Sequence, residues 1–407
     1  MTPAIAIVAD DLTGSGDTAV QFVRAGWTTR LSIDGAHEAL AAPAADDVDV
    51  LAVTTHSRAL PASEAGAVIR RNVQRLRAAG VARLYKKVDS TLRGAFKAEI
   101  DAAREAWGDD AIAVVCPAFP ATGRTVEDGV LMVSGLPVTA TSAATDPVTP
   151  VTESHIPTLL GCAHVAALPG ETPESLAARI AQAGATVVVD ARDDADLERL
   201  ARAIGLLGRR ALPVGAGGLA VPLARVWAGA EQTAPVVVVV TSQHSAARAQ
   251  AAALQAAGAR TWAPALTDLA DDAAWRAWSE PLLRGHARDG AADAAPPCCC
   301  WPPEGQLAGL DADTVAQRLG SLAAQAIGAT RAAGVVATGG DGARQVLLAL
   351  GAGGIALVDE VMGGVPLGTL TGGTADGLPV VTKAGGFGTE DVLVRAVRAI
   401  RDRRFKR

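Results

Sequence analysis

A chain of 407 residues, of which 49% are hydrophobic, is too long for a single ordinary core and predicts two globular domains. The formal net charge of -6 and the pI near 5.6 argue against nucleic acid as the main partner, because nucleic-acid-binding surfaces are basic. The first residues lack a basic leader segment, and no run approaches the roughly 18 uncharged apolar residues of a membrane span. We therefore expect a cytoplasmic protein that does not enter a membrane.

The stretch from residue 5 to residue 21 carries the first chemical signal. An apolar run predicts a buried strand, Asp10 and Asp11 end it, and a glycine-rich turn then opens a helix. Ligands of open α/β sheets bind beyond the carboxyl ends of the strands, where a carboxylate pair can hold a hydroxylated substrate or accept its proton. A simpler alternative is that Asp11 and Thr13 only cap the helix.

The same turn also fits a dinucleotide-binding fingerprint. Gly14, Gly16 and Ala19 satisfy the pattern G-x-G-x-x-A, and Asp34 closes the next apolar run near the position that binds a ribose. Against this interpretation, Asp17 and the two aspartates at the strand end crowd the place where a pyrophosphate would sit, and no nearby cation offsets that repulsion. An NAD-dependent oxidoreductase is therefore a competing hypothesis and not the preferred one.

Polar residues also follow the next two predicted strands. Residues 48–54 lead into a polar cluster that ends at Arg58, and residues 82–88 run directly into a charged segment at 86–94. That segment contains Lys86, Lys87, Asp89, Ser90, Thr91 and Arg93. Cations suit the anionic group of a ligand while carboxylate and hydroxyl groups suit its OH groups, so the segment predicts a site for an anionic, hydroxyl-bearing molecule. The alternative is a solvated turn in which Asp89 or Ser90 caps the following helix.

The second half of the chain repeats the pattern of strand, turn and helix. We place the domain boundary in the polar segment 228–235, which gives domains 1–230 and 235–407. Three predicted strands, at 334–337, 355–358 and 379–382, each run into glycines, and Lys383 heads the last of these clusters. Glycine lets backbone amides approach phosphate oxygens closely, so three such turns predict a nucleotide site, although no P-loop sequence occurs.

The five cysteines do not indicate a disulfide framework. Cys116, Cys162 and the triplet Cys298–Cys300 give an odd count without paired C-x-x-C spacing. Prolines on both sides of the triplet predict a loop, and no histidine follows at the spacing of a metal site. The purpose of that loop does not follow from the sequence.

Taken together, the motifs resemble those of one family along nearly the whole chain, the four-carbon acid sugar kinases. The matching segments are ADDLTGSGDTAVQF, THSRALP, KKVDSTLRG, PAFPATGRT, DPVTPVTESHIP, TSQHSAARAQ, ATGGDGA and VVTKAGGFG. Ordered motifs of this kind are more specific than any one of them alone. The resemblance implies an α/β fold of two domains with Rossmann-like, mainly parallel sheets, in which an acid-sugar domain precedes a nucleotide domain and the active-site cleft lies between them.

The resemblance also implies a reaction in which ATP, with Mg²⁺, phosphorylates the terminal hydroxyl of a four-carbon acid sugar. The motif ADDLTGSGD is most similar to that of the D-threonate and D-erythronate kinase branch, with 3-oxo-tetronate kinase as the alternative. The stereochemistry of the substrate, the Mg²⁺ ligands and the oligomeric state stay open at this point, and a homo-oligomer is one of the options.

By position, the resemblance implies specific contacts for both substrates. The residues that would contact the acid sugar are Asp11, Arg58, Lys86, Lys87, Val88 and Asp89. Those that would contact ATP are Ser242, Gly339, Gly340, Asp341, Gly342 and Gly385. For the catalytic base we favour Asp11, with Asp10 and Asp89 as competitors, while Arg58 and Lys87 would pair with the substrate carboxylate.

Two departures from the family pattern concern the nucleotide domain. Residues 241–245 stand where the family usually has Gly-Ser-x-Ser, and Gly342 stands where a Thr or Ser is common. The missing hydroxyl at Gly342 would remove one phosphate hydrogen bond, worth about 1 kcal/mol. A non-catalytic acid-sugar sensor is therefore a third hypothesis beside the kinase and the oxidoreductase.

Overall fold

The computed structural model describes residues 3–41, 48–228, 234–289, 298–301 and 310–405. The chain divides into two compact units, residues 1–228 and 229–407, and the segment 228–235 that the sequence marks as a boundary falls largely outside the described residues. Each unit is an α/β structure on a mainly parallel sheet, which confirms the predicted fold class. Among the helices described here, none is both long enough and apolar enough to cross a membrane.

The first unit contains eleven strands and eight α-helices within its described residues. The strands are β1 (Ile5–Ala9), β2 (Thr29–Ser32), β3 (Val50–Thr54), β4 (Arg83–Lys87), β5 (Ile112–Cys116), β6 (Arg124–Glu127), β7 (Val130–Val133), β8 (Leu136–Pro137), β9 (Ala163–Val165), β10 (Thr186–Val189) and β11 (Ala211–Gly215). The helices are α1 (Leu12–Arg24), α2 (Gly35–Ala41), α3 (Ala62–Ala78), α4 (Phe96–Trp107), α5 (Ile156–Leu160), α6 (Pro173–Ala183), α7 (Asp194–Leu207) and α8 (Gly217–Trp227).

The main sheet of this unit has eight strands in the order β2-β3-β1-β4-β11-β5-β10-β9, all paired in parallel. Its central strands are apolar and buried on both faces, as is usual where helices cover both sides of a parallel sheet. The chain passes from β1 to β2 and β3 on one side and to β4 on the other, so β1 and β4 flank a topological switch point. Ligands of such sheets bind in the crevice beyond the carboxyl ends of the strands at this point.

The second unit contains seven strands and five α-helices within its described residues. The strands are β12 (Val236–Val240), β13 (Arg260–Trp262), β14 (Cys298–Cys300), β15 (Gly334–Thr338), β16 (Gly354–Met362), β17 (Val365–Thr371) and β18 (Pro379–Lys383). The helices are α9 (Ser245–Ala256), α10 (Asp272–Asp289), α11 (Ala312–Thr330), α12 (Gly340–Ala349) and α13 (Val392–Arg401). The sheet order is β13-β14-β12-β15-β18-β17-β16, which puts a second switch point between β12 and β15.

The cysteine triplet is a strand and not the loop that its flanking prolines predict. β14 pairs in parallel with β12 on one side and with β13 on the other. Cys299 and Cys300 are buried in separate hydrophobic clusters, and burial raises the pKa of Cys300 to about 12. A buried thiol behaves as a small apolar group, which is why the triplet can occupy an interior strand.

The predicted strand at 355–358 is part of the longer strand β16, which is not followed by a helix. β16 and β17 form an antiparallel hairpin at the edge of the sheet, and β17 also runs antiparallel to β18. Because β17 begins opposite the end of β18, the hairpin turn at Gly363 and Gly364 still lies at the carboxyl edge of the parallel strands. The three glycine turns therefore lie on one edge of the sheet.

Candidate active site

The guanidinium of Arg58 gathers three carboxylates at the switch point of the first sheet. Its Nε lies 2.7 Å from Asp10 Oδ2, its Nη1 2.9 Å from Asp11 Oδ2 and its Nη2 3.5 Å from Asp89 Oδ1. The carboxylates follow β1 and β4, and Arg58 follows β3, so parallel pairing of the three strands brings these residues together. Burial alone would lower the pKa of Arg58, but the hydrogen bond and charge of Asp10 raise it, which keeps the guanidinium charged.

Asp89 is held by more donors than the other two carboxylates. It accepts hydrogen bonds from Arg93 Nη2 at 2.9 Å and Nε at 3.0 Å, and from the backbone N–H and the hydroxyl of Thr91. Burial would raise the pKa of Asp89, but these hydrogen bonds and the charge of Arg58 hold it well below its usual range. Arg93 also contacts Asp146 at 3.2 Å. Asp89 is therefore a permanent anion that organises the turn.

Asp10 and Asp11 differ in accessibility and in their free oxygens. The side chain of Asp10 is 4% exposed, and its Oδ1 is buried without a hydrogen-bond donor among the described residues. The side chain of Asp11 is 26% exposed, and its Oδ1 accepts the backbone N–H of Gly14 at 2.8 Å. Asp11 thus caps α1 and faces the cluster at once, so the capping and site interpretations are compatible.

The two adjacent lysines lie on opposite faces of β4, because successive side chains of a strand alternate. Lys87 faces the carboxylates and donates to the carbonyl of Val88 at 2.8 Å; burial lowers the pKa of Lys87, while the nearby aspartates act to raise it. Lys86 is fully buried and pairs with Glu99 Oε2 at 2.7 Å, and Ser57 donates to the other oxygen of Glu99 at 2.6 Å. The structure thus brings Lys87, but not the Lys86 ammonium, into the cluster.

The corresponding edge of the second sheet is built by close packing of side chains into glycine positions. The Thr241 hydroxyl donates to the carbonyl of Thr338, and a Cβ at Gly342 would lie only 1.9 Å from Thr241 Oγ1. In the same way, a Cβ at Gly385 would lie 2.0 Å from Ser242 Oγ. Thr241 therefore fills the space that a side chain at residue 342 would occupy, and it places a hydroxyl there.

Gly342→Ala is expected to destabilise the protein by about 1–3 kcal/mol, as overpacking of a full site does. Rotation of Thr241 cannot relieve the clash, because the new Cβ would also lie 2.3 Å from Thr241 Cβ. Urea unfolding measures the loss, and the double variant Thr241→Gly/Gly342→Ser should recover most of it. Gly328→Ala is the matched control, since that helical glycine has open space around it. Equal stability of the two Gly→Ala variants would contradict this packing account.

A cavity of about 640 Å³ opens beside this edge, within the range of small-molecule sites. Its wall is formed by Gly339, Gly340, Ala343, Arg344, Leu347, Leu348, Ala352, Gly353, Gly354, Gly364, Pro366, Thr382, Lys383 and Ala384. Of the predicted ATP contacts, Gly339 and Gly340 line the cavity. Ser242, Gly342 and Gly385 lie next to those residues but are not part of its wall, and Asp341 is exposed on the first turn of α12.

The sequence prediction did not include several partners that the structure places at these sites. Glu99 and Asp146 are far along the chain from the residues that they contact, and no local pattern indicates such pairs.

No group of three or more His, Cys, Asp or Glu side chains suited to a metal ion occurs in the described part of the chain.

Two family models match the chain, a sugar-binding N-terminal domain over residues 5–223 and a nucleotide-binding C-terminal domain over residues 237–393. A Bordetella bronchiseptica protein named D-threonate kinase is 72% identical over 99% of both chains, and one from Salmonella typhimurium with the same name is 32% identical over 96% of this chain and 97% of its own. A Bordetella bronchiseptica crystal structure, described as a domain-swapped dimer with bound citrate, is 72% identical with a TM-score of 0.91 over 99% of this chain and 100% of that one.

Proposed function

Since this chain belongs to the four-carbon acid sugar kinase family, we propose that it transfers the γ-phosphoryl group of ATP to the C4 hydroxyl of D-threonate. The observation that carries the proposal is the 72% identity, across 99% of both chains, to a protein named D-threonate kinase. D-erythronate and 3-oxo-tetronate are the alternative acceptors.

Asp11 is the proposed catalytic base of the first unit. Phosphoryl transfer asks the protein mainly to position two substrates and to stabilise charge, with a carboxylate to accept the hydroxyl proton. The exposure of Asp11 supports this role, since the Asp10 side chain is only 4% exposed and the pKa of Asp89 is too low for an effective base. Asp10, whose Oδ2 accepts a hydrogen bond from Arg58 Nε at 2.7 Å, is proposed to position that guanidinium.

Lys87 and Arg58 are the proposed partners of the substrate carboxylate. The Lys87 ammonium donates to the carbonyl of Val88 and retains donors for an anion, whereas Arg58 already contacts three carboxylates. Lys86, on the other face of β4, would hold Glu99, which in turn accepts the hydroxyl of Ser57 next to Arg58. We therefore expect Lys87 to contribute more than Arg58 to the binding of the acid group.

The second unit is the proposed ATP-binding part, with Gly339, Gly340 and their neighbours at the phosphates. Mg²⁺ would accompany the nucleotide and neutralise charge on its phosphates. Such an ion is usually held by phosphate oxygens, water and one or two carboxylates.

The test is ADP release with Mg²⁺ and ATP across D-threonate, D-erythronate, their L-enantiomers and 3-oxo-tetronate. We expect the highest kcat/KM with D-threonate. Melting temperatures with ATP or NAD separate the rival classes, because a ligand stabilises the protein that binds it. If no acid sugar stimulates ADP release but ATP raises the melting temperature, the sensor hypothesis is favoured. If NAD alone raises the melting temperature, the oxidoreductase hypothesis is favoured.

We also propose that the chain forms a homodimer. The domain-swapped dimer described for the Bordetella bronchiseptica structure supports this assembly. Light scattering should then give twice the chain mass of 41.1 kDa, and a mass equal to one chain would contradict the proposal.

A further inference from the structure

The turn that carries Arg58 is held from the interior by a chain of buried hydrogen bonds. Ser57 is fully buried, and its hydroxyl donates to Glu99 Oε1 at 2.6 Å. The Ser57 oxygen also lies 2.8 Å from the Thr55 hydroxyl, and Lys86 Nζ lies 2.7 Å from the other oxygen of Glu99. An ionised carboxylate only accepts hydrogen bonds, so Glu99 takes one donor on each oxygen. Glu99 therefore connects an interior lysine of β4 with the residue directly before Arg58.

His56, in the middle of this turn, has an unusual backbone conformation. Its φ of +51° lies in the left-handed region, which residues with a side chain adopt only rarely. The buried residues on both sides of it are tied to the end of β1, because the N–H of Thr55 donates to the carbonyl of Ala9 at 2.9 Å and that of Ser57 to the carbonyl of Asp10 at 3.0 Å. A conformation of this kind persists only where the surrounding contacts fix it.

Arg58 itself is packed against the turn that follows β4. A Cβ at Gly94 would lie 3.1 Å from the carbonyl oxygen of Arg58 and 3.2 Å from its Cγ, so the two turns are in close contact. From this position the guanidinium reaches Asp10 at 2.7 Å and Asp11 at 2.9 Å. The place of these charged groups thus depends on the conformation of the turn before Arg58.

We propose that Ser57 and Glu99 are positioning residues of the acid-sugar site, which hold His56 in its left-handed conformation and thereby fix the guanidinium of Arg58. Both side chains are buried, so they act through Arg58 and not by contact with the sugar. This inference rests on the proposed function only in taking Arg58 and Asp11 as residues that act on the acid sugar. A displacement of about 1 Å at such a site can cost about 100-fold in rate.

His56 offers a matched pair of substitutions at an exposed position. Valine and glycine both remove the imidazole and its contact with the carbonyl of Ile33. Glycine adopts a positive φ readily, whereas a β-branched residue almost never does. His56→Val should therefore raise the KM for D-threonate by about 10-fold, and His56→Gly by less than about twofold. Steady-state ADP release measures both constants, and the KM for ATP should stay unchanged in both variants.

Ser57→Ala tests the buried end of the same chain. It removes the hydroxyl that Glu99 accepts, so we expect a KM for D-threonate raised by about 10-fold and a lower kcat, because Arg58 also contacts Asp11. Ser154→Ala is the matched control, since Ser154 is also buried and its hydroxyl lies 2.7 Å from that of Thr139. Loss of folded protein alone lowers the apparent kcat and leaves both KM values unchanged, which is the most that we expect of the control.

A crystal structure of His56→Val gives a readout that does not need turnover. The contact between Arg58 Nε and Asp10 Oδ2, 2.7 Å in the wild type, should lengthen or be lost. The inference is overturned if that contact is unchanged, if the two His56 variants have equal KM values for D-threonate, or if folded Ser57→Ala keeps the wild-type KM. A wild type that releases no ADP with any acid sugar would contradict the proposed function alone, and the crystal structure would still decide the positioning role.

Discussion

Asp11→Asn is expected to lower kcat by about 100- to 10,000-fold with little change in the KM for the acid sugar, because it removes the proposed proton acceptor. Asparagine keeps the shape of the side chain and caps a helix as well as aspartate does, so the hydrogen bond from Gly14 to residue 11 is retained. Steady-state ADP release at saturating ATP measures both constants. Circular dichroism should show an unchanged fold.

Asp34→Asn is the matched control for this substitution. Asp34 is exposed and belongs to the rival dinucleotide interpretation, so a kinase should lose little activity when it is changed. Near-wild-type kcat in Asp11→Asn would exclude Asp11 as the base. An equal fall in kcat for both variants would argue against a specific role for Asp11.

Lys86→Met is expected to destabilise the protein by about 3–5 kcal/mol, since it leaves Glu99 as an unpaired charge in the interior. The two side chains are 0% and 2% exposed, so solvent cannot replace the lost partner. Lys87→Met should behave differently, raising the KM for the acid sugar while changing stability less, because Lys87 lies on the face of β4 that carries the carboxylates. Urea unfolding and steady-state kinetics on both variants measure this contrast.

The double variant Lys86→Met/Glu99→Gln tests the cause of the instability. Glutamine removes the buried charge and can still accept the hydroxyl of Ser57, which contacts Glu99 at 2.6 Å. Most of the lost stability should therefore return. If the double variant were no more stable than Lys86→Met, or if Lys86→Met were as stable as Lys87→Met, the ion pair would not be the reason for the burial of Lys86.

The sequence predicts what depends on local patterns. Continuous apolar runs identify β1 and β12 as strands buried on both faces, and the polar residues after them mark the edges where both sites lie. It predicts less where neighbours along the chain separate in space. The alternation of β4 divides Lys86 from Lys87, and nothing near Gly342 shows that Thr241 occupies the space beside it.

Local signals also mislead when tertiary context outweighs them. Prolines around Cys298–Cys300 are typical of a loop, yet the pairing of β14 with two neighbours makes the triplet a strand. The run at 355–358 is predicted as a strand that ends in glycines, but no local signal shows that its partner is the segment directly after it, with which it forms a hairpin. In both places strand pairing, which the sequence does not encode locally, determines the structure.

Because Cys299 and Cys300 are buried in an interior strand, the rate at which their thiols are alkylated measures local opening of the second unit. Alkylation requires that the thiol be ionised and that the reagent reach it. In the folded state the high pKa of Cys300 keeps it protonated, and its burial keeps the reagent away. Labelling of these thiols must therefore wait until β14 separates from β12 and β13, so its rate reports how often that part of the sheet opens. Cys116, buried in the first unit, reports in the same way on the other sheet.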